Sequence, residues 1–203
     1  MQDEIRAFLN PLHLPEGETP AQGAWGDEAY LRLTDDVSRL VELADGVVEV
    51  LPMPTEEHQD ILAFLFDAFR GHVERTGGKV YFAPLRLRIR PGKFREPDLL
   101  LVQDARDPRR GSRFWRGADL VAEVVSPEGA SRDLVDKRLD YAEAGIPEYW
   151  IVDPRAERVT VLLLEAGGYV QAGIYPRGSA AASRLLAGFD VAVDALFDAA
   201  NAE

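Results

Sequence analysis

Two apolar runs constrain this chain more than any other feature: Leu120-Val-Ala-Glu-Val-Val125, broken by one acid, and Tyr149-Trp-Ile-Val152. Runs of this kind belong to strands buried on both faces of a sheet, with helices covering each side. Between them Ser131 reads as a helix N-cap, and helical periodicity continues to about Ala144, where Gly145 and Pro147 stop it. A helix joining two strands of one sheet is a crossover. The two runs are therefore expected to be parallel, with a right-handed connection.

The flanking segments fill in the architecture. Ala44-Asp45-Gly46 lies between Arg39-Leu-Val-Glu-Leu43 and Val47-Val-Glu-Val-Leu51, a strong hairpin signal. Thr55 suits an N-cap, and Ile61, Leu62, Leu65, Phe66 and Phe69 recur with helical period, so a helix is expected over 56–75. A shorter helix is expected near Glu28–Leu33. Strands are expected at 80–83, 85–89 and 99–102, with a C-terminal hairpin across Gly167-Gly168. The fold class is α/β in the mixed, α+β sense: one mixed sheet flanked by helices, with hairpins towards both ends. With 203 residues and 46% apolar content, one domain over 26–203 is expected, after a Pro- and Gly-rich, poorly ordered lead-in over 1–25.

Charged groups inside that pattern suggest chemistry. An acid in a buried strand is costly unless something positive compensates it. Glu123 interrupts one buried run, and Asp98 precedes Leu99-Leu-Leu-Val102 directly after Pro97. A divalent cation is one solution. Asp98, Glu123 and the Val124 backbone carbonyl form a hard-oxygen donor set suited to Mg²⁺, with Mn²⁺ as a substitute. Asp133, Lys137 and Tyr141 follow at i, i+4 and i+8, placing Lys137 on one helical face. Each residue also has an ordinary reading. Asp98 suits a solvated strand entrance, and Asp133 with Lys137 suits a surface ion pair.

Other chemistries fit less well. There is no cysteine, so disulfides, thiolate zinc sites and cysteine nucleophiles are excluded. No Gly-x-Ser-x-Gly elbow or phosphate loop is present. Neither a signal peptide nor a membrane span is evident, so a soluble cytoplasmic protein without a membrane partner is expected. The net charge of −12 argues against nucleic acid, yet its distribution is uneven. Between Arg86 and Arg116, ten basic residues face four acids, giving +6. Arg86, Arg88, Arg90, Lys93, Arg95, Arg109, Arg110 and Arg113 are the candidate phosphate contacts, while Arg86, Arg88 and Arg90 also suit the wet face of an amphipathic strand.

Glu123-Val-Val-Ser-Pro127, Arg132-Asp133, Lys137, Tyr141 and Ala144-Gly-Ile-Pro-Glu-Tyr-Trp-Ile-Val-Asp-Pro154 together resemble the prokaryotic Uma-two family, a restriction-endonuclease-like family of the PD-(D/E)XK nuclease superfamily. Asp45-Gly46, Pro52-Met-Pro54, Glu57-His58 and Pro97-Asp98 extend the likeness over roughly 28–198. It implies a restriction-endonuclease-like core and a metal-dependent endonuclease acting on DNA. Asp98 and Glu123 then hold the metal. Val125 stands where the standard pattern carries lysine, and Lys137 from the following helix supplies that group. A further acid or histidine near the first core helix is expected, drawn from Glu49, Glu57 and His58, with Glu49 and His58 preferred. Cutting both strands of a duplex would suit a homodimer. The alternative is a catalytically silent nuclease fold that binds nucleic acid or protein.

Overall fold

The computed structural model describes residues 20–35, 39–126 and 135–200. Its centre is a six-stranded sheet in the order β10-β9-β8-β7-β6-β3. These strands are β3 (Lys79–Phe82), β6 (Leu99–Val102), β7 (Leu120–Val124), β8 (Glu148–Asp153), β9 (Arg158–Glu165) and β10 (Gly168–Pro176). β7 and β8 pair in parallel, with Glu123 beside Ile151, and the other neighbours are antiparallel. The crossover expectation thus describes the observed pairing. Of its helix, the described part is a π turn at 135–136 followed by α3 (Lys137–Glu143), while the expected cap Ser131 and Asp133 lie outside the described residues.

Each face of this sheet has its own core, as the alternation along β7 requires. Leu120, Ala122 and Val124 pack with Trp150, Val152 and the α2 helix (Glu56–Val73) through Ile61, Leu65 and Phe69. Val121 and Val125 point the other way, packing with Tyr149, Ile151 and Tyr141 of α3. The Thr55 hydroxyl accepts the His58 N–H at 3.2 Å, the N-cap expected for α2. β11 (Ala180–Ala182), β12 (Asp190–Ala192) and α4 (Val193–Ala199) close the first core. Glu148 anchors this end: its carboxylate accepts from Trp150 Nε1 and Ser183 Oγ at 2.7 Å and from the backbone N–H groups of Arg184 and Leu185.

A second sheet, in the order β2-β1-β5-β4, was not legible in the sequence. It joins the hairpin β1 (Val41–Ala44) and β2 (Val47–Val50) to β4 (Leu87–Arg90) and the short β5 (Lys93–Arg95). α1 (Asp27–Asp35) covers it, burying Tyr30, Leu31 and Leu33 against Val41, Leu43 and Phe94. Asp45 and Gly46 both have positive φ, as the tight hairpin turn requires. A Cβ on Gly46 would collide with the Gly23 carbonyl oxygen, because Gly23 and Trp25 both donate to the Gly46 carbonyl. Of the expected lead-in, residues 1–19 lie outside the described residues. Residues 20–25 are tied down here, with Gln22 exchanging two hydrogen bonds with Val48 and Trp25 buried. Among the described residues, no helix is long and apolar enough to cross a membrane.

Candidate active site

The carboxyl ends of the parallel pair β7 and β8 open into a cleft of about 520 Å³. Ligand sites in sheets with parallel strands favour this position. Asp98, Glu123, Val124, Lys137 and His58 all line it. Asp98 sits just ahead of β6, and its Oδ2 accepts the Val124 N–H at 2.8 Å. Its Oδ1 lies 3.3 Å from His58 Nε2 on the first turn of α2. Burial disfavours the ionised Asp98 carboxyl. The His58 imidazole, the Lys137 charge and the Val124 N–H outweigh that effect and hold its pKa below the usual value.

Glu123 is almost fully buried, on the sheet face that α3 covers. Tyr141 donates its hydroxyl proton to Glu123 Oε1, and Lys137 Nζ lies 2.8 Å from Oε2. Lys137 and Tyr141 are one helical turn apart, so α3 grips both carboxylate oxygens from one face. Burial, then the Glu123 charge, push the Tyr141 phenol well above its ordinary pKa, so it stays a donor. Lys137 also approaches Glu42 Oε1 of β1, at 4.0 Å. Beyond it the charges alternate. Glu42 Oε2 meets Arg95 Nη1 at 2.6 Å, Arg95 Nη2 meets Asp140 at 2.7 Å, and Asp140 meets Lys93 at 2.6 Å. The chain Glu123–Lys137–Glu42–Arg95–Asp140–Lys93 carries three charges of each sign, which is how so many ionised groups remain buried between two sheets.

The donor set suits a divalent ion. Register pairs Leu99 with Ala122, so the position opposite Val124, two residues further on, falls to Pro97. Proline has no N–H to give the Val124 carbonyl, and Val124 lines the cleft beside Asp98. Two carboxylates and a backbone carbonyl fit a hard cation that completes its shell with water and substrate oxygens. Among the described residues, no group of three or more His, Asp or Glu side chains is arranged to hold a metal ion.

Comparison with known proteins gives the family. The profile of the Uma2 family, described as "Putative restriction endonuclease", matches residues 27–194. The chain belongs to the Uma2 family. Among solved structures, one described as "a putative nuclease belonging to DUF820", from Anabaena variabilis, superposes on the Uma2 chain with a TM-score of 0.72. The two are 18% identical, over 85% of this chain and 97% of that one, a likeness of fold. No curated protein matches the chain.

Within this Uma2 fold, Asp98, Glu123, Val124, Lys137 and His58 come together, and Glu49 does not line the cleft. Glu49 lies on β2 directly across from Glu42 and is exposed, whereas Glu42 is buried on the next strand inwards and reaches the lysine. Tyr141 was placed on the Lys137 face of its helix without a role, and Glu42 and Asp140 are the partners not singled out from sequence. For Glu42 the available signal was an acid between Val41 and Leu43, the same signal that marked Glu123. The candidate phosphate contacts have internal partners. Arg86 and Arg113 bind Asp35, Arg88 approaches Asp27, and Arg90 binds Asp45 and Glu143. Lys93 and Arg95 belong to the buried chain, and Arg109 binds Asp107 and Asp119. Arg110 donates to the Ala105 carbonyl and Tyr81, with its guanidinium over Trp115.

Proposed function

We propose that the protein is a Mg²⁺-dependent endonuclease hydrolysing DNA phosphodiesters in the β7–β8 cleft, with Mn²⁺ able to substitute. The observation that carries this reading is the meeting of Asp98, Glu123 and Lys137, from two strands and the crossover helix, in one cleft. Asp98, Glu123 and the Val124 carbonyl would hold the metal. When bound, such an ion acidifies water and offsets phosphate charge. The chain's own residues supply the rest. His58 and the Val124 N–H fix the orientation of Asp98, and Tyr141 and Lys137 fix Glu123. The Lys137 ammonium is positioned to orient the attacking water and to meet the negative charge that builds on the phosphate. Its place on α3 brings it to the Glu123 carboxylate although Val125 occupies the usual lysine position.

A second reading is a catalytically silent nuclease fold that binds nucleic acid or protein. The net charge of −12 and the internal pairing of the candidate phosphate contacts favour it. The test incubates plasmid and single-stranded DNA with wild type and with Glu123→Gln, in Mg²⁺ and in Mn²⁺. Cleavage by wild type alone is expected. Equal cleavage by both proteins removes the site assignment, and no cleavage together with no metal heat by calorimetry favours the silent module.

A further inference from the structure

Duplex binding depends on rows of cations that neutralise successive phosphates. The candidate phosphate contacts of the basic block are engaged internally here, several with the acids of the small sheet and α1. The cleft offers something else. One wall and lip are apolar, built from Pro52, Met53, Pro54, Phe82 and Pro84. Met53 is 70% exposed and Phe82 is 54% exposed, well beyond what core packing needs.

Phe82 is held in place rather than loosely displayed. Phe66 of α2 meets its ring at 5.0 Å in an edge contact, and the Arg70 guanidinium lies over Phe66 at 5.5 Å. Register pairs Phe82 with Leu99, and the next residue, Ala83, donates its N–H to the Asp98 carbonyl at 3.2 Å. The Phe82 backbone therefore sits one register step from Asp98, and both residues line the cleft. Arg155, on the turn after β8, lines the same cleft and is exposed, and it has no ion pair among the described residues.

From this arrangement we infer that the cleft takes an unpaired stretch of DNA, with a base stacked on Phe82 and Arg155 meeting the backbone. The inference rests on the nuclease reading and names its substrate class. Bases inside a duplex have both faces covered by their neighbours, whereas an unpaired base offers a π face to an aromatic ring. A cleft of about 520 Å³ is the size that takes a small ligand, a scale closer to one or two nucleotides than to a duplex. An unpaired strand also presents one backbone to cut, so a single copy of the chain suffices.

The test measures fluorescence anisotropy of a labelled single-stranded 12-mer and of the matching duplex, with Glu123→Gln in Mg²⁺ so that nothing is cut. Single strand should bind at least about tenfold tighter than duplex. Adding Phe82→Ala should weaken single-strand binding about tenfold or more, while Phe82→Trp retains it. Adding Arg155→Ala should reduce the slope of log affinity against log salt by about one contact. A thermal melt checks that each variant folds, which the exposure of Phe82 makes straightforward. Equal binding of duplex and single strand, or Phe82→Ala without effect in a folded protein, overturns the inference. Wild-type cleavage separates the two ideas. Efficient cutting of duplex without single-strand preference keeps the nuclease reading and ends this one. Phe82-dependent single-strand binding without cutting of any DNA keeps this one and ends the other.

Discussion

Replacing Glu96 with glutamine should remove a pH-dependent weakness from the fold. Glu96 lies between β5 and β6 and is only 3% exposed, with its Oε2 accepting the Val41 N–H at 2.9 Å and its own N–H donated to Glu42 Oε1. Burial is the main influence on its carboxyl, and the neighbouring Glu42 charge adds to it. Against the lowering effect of the Val41 N–H, they push the pKa from 4.5 up to about 8. The folded state thus holds this proton more tightly than the unfolded chain. Its contribution is fully present below the ordinary carboxyl value and is lost as pH rises through the window ending near 8. At about 1.4 kcal/mol per pH unit, the whole window corresponds to at most about 5 kcal/mol. The glutamine amide cannot ionise, and its oxygen can still accept from Val41. Urea unfolding of both proteins at pH 5, 6, 7 and 8 is the assay. The stability of Glu96→Gln relative to wild type should rise steadily across the series, from near parity at pH 5 to an advantage of a few kcal/mol at pH 8. Parallel stability curves, or a larger advantage at pH 5 than at pH 8, would refute the reasoning.

Lys137→Met should lower the cleavage rate by about 10²–10³-fold, the typical cost of losing one preorganised charge at a reacting centre, as measured by single-turnover assays. Tyr141→Phe leaves Glu123 Oε1 without its phenolic donor and should shift the Mg²⁺ dependence of cleavage to about 10–100-fold higher concentration. Glu42→Ala takes one of the two carboxylates that Arg95 meets among the described residues, and one near Lys137. It should cost about 3–5 kcal/mol in chemical unfolding. Glu148→Ala strips the Trp150 indole, Ser183 and two backbone N–H groups of their common acceptor, for a loss on the order of 3 kcal/mol in the same assay.

The features legible in the sequence are those written in local pattern. Asp45-Gly46 marks its hairpin, apolar continuity marks β7 and β8, and helical period marks α2. Glu123 was visible because an acid stood where every neighbour was apolar. What stayed hidden depends on which strand becomes central. Glu42 and Glu49 are directly paired across the hairpin and alternate alike along their strands. β1 goes on to pair with β5 while β2 remains an edge, and that pairing joins segments about fifty residues apart. The same separation hid the fate of the basic block. Its charges are clustered in sequence, but their partners Asp27, Asp35, Asp45 and Glu143 come from other segments and meet them only once the small sheet and its helix are in place.

The alternating buried charges also tie the two sheets and α3 to one another. β7 contributes Glu123, α3 contributes Lys137 and Asp140, and the small sheet contributes Glu42, Arg95 and Lys93. With only the large sheet formed, Asp140 would lack Arg95 and Lys93, and α3 would keep its Lys137 and Tyr141 contacts to Glu123 but lose those to the small sheet. Full seating of α3, and with it the Lys137 ammonium, would then wait on the docking of the small sheet.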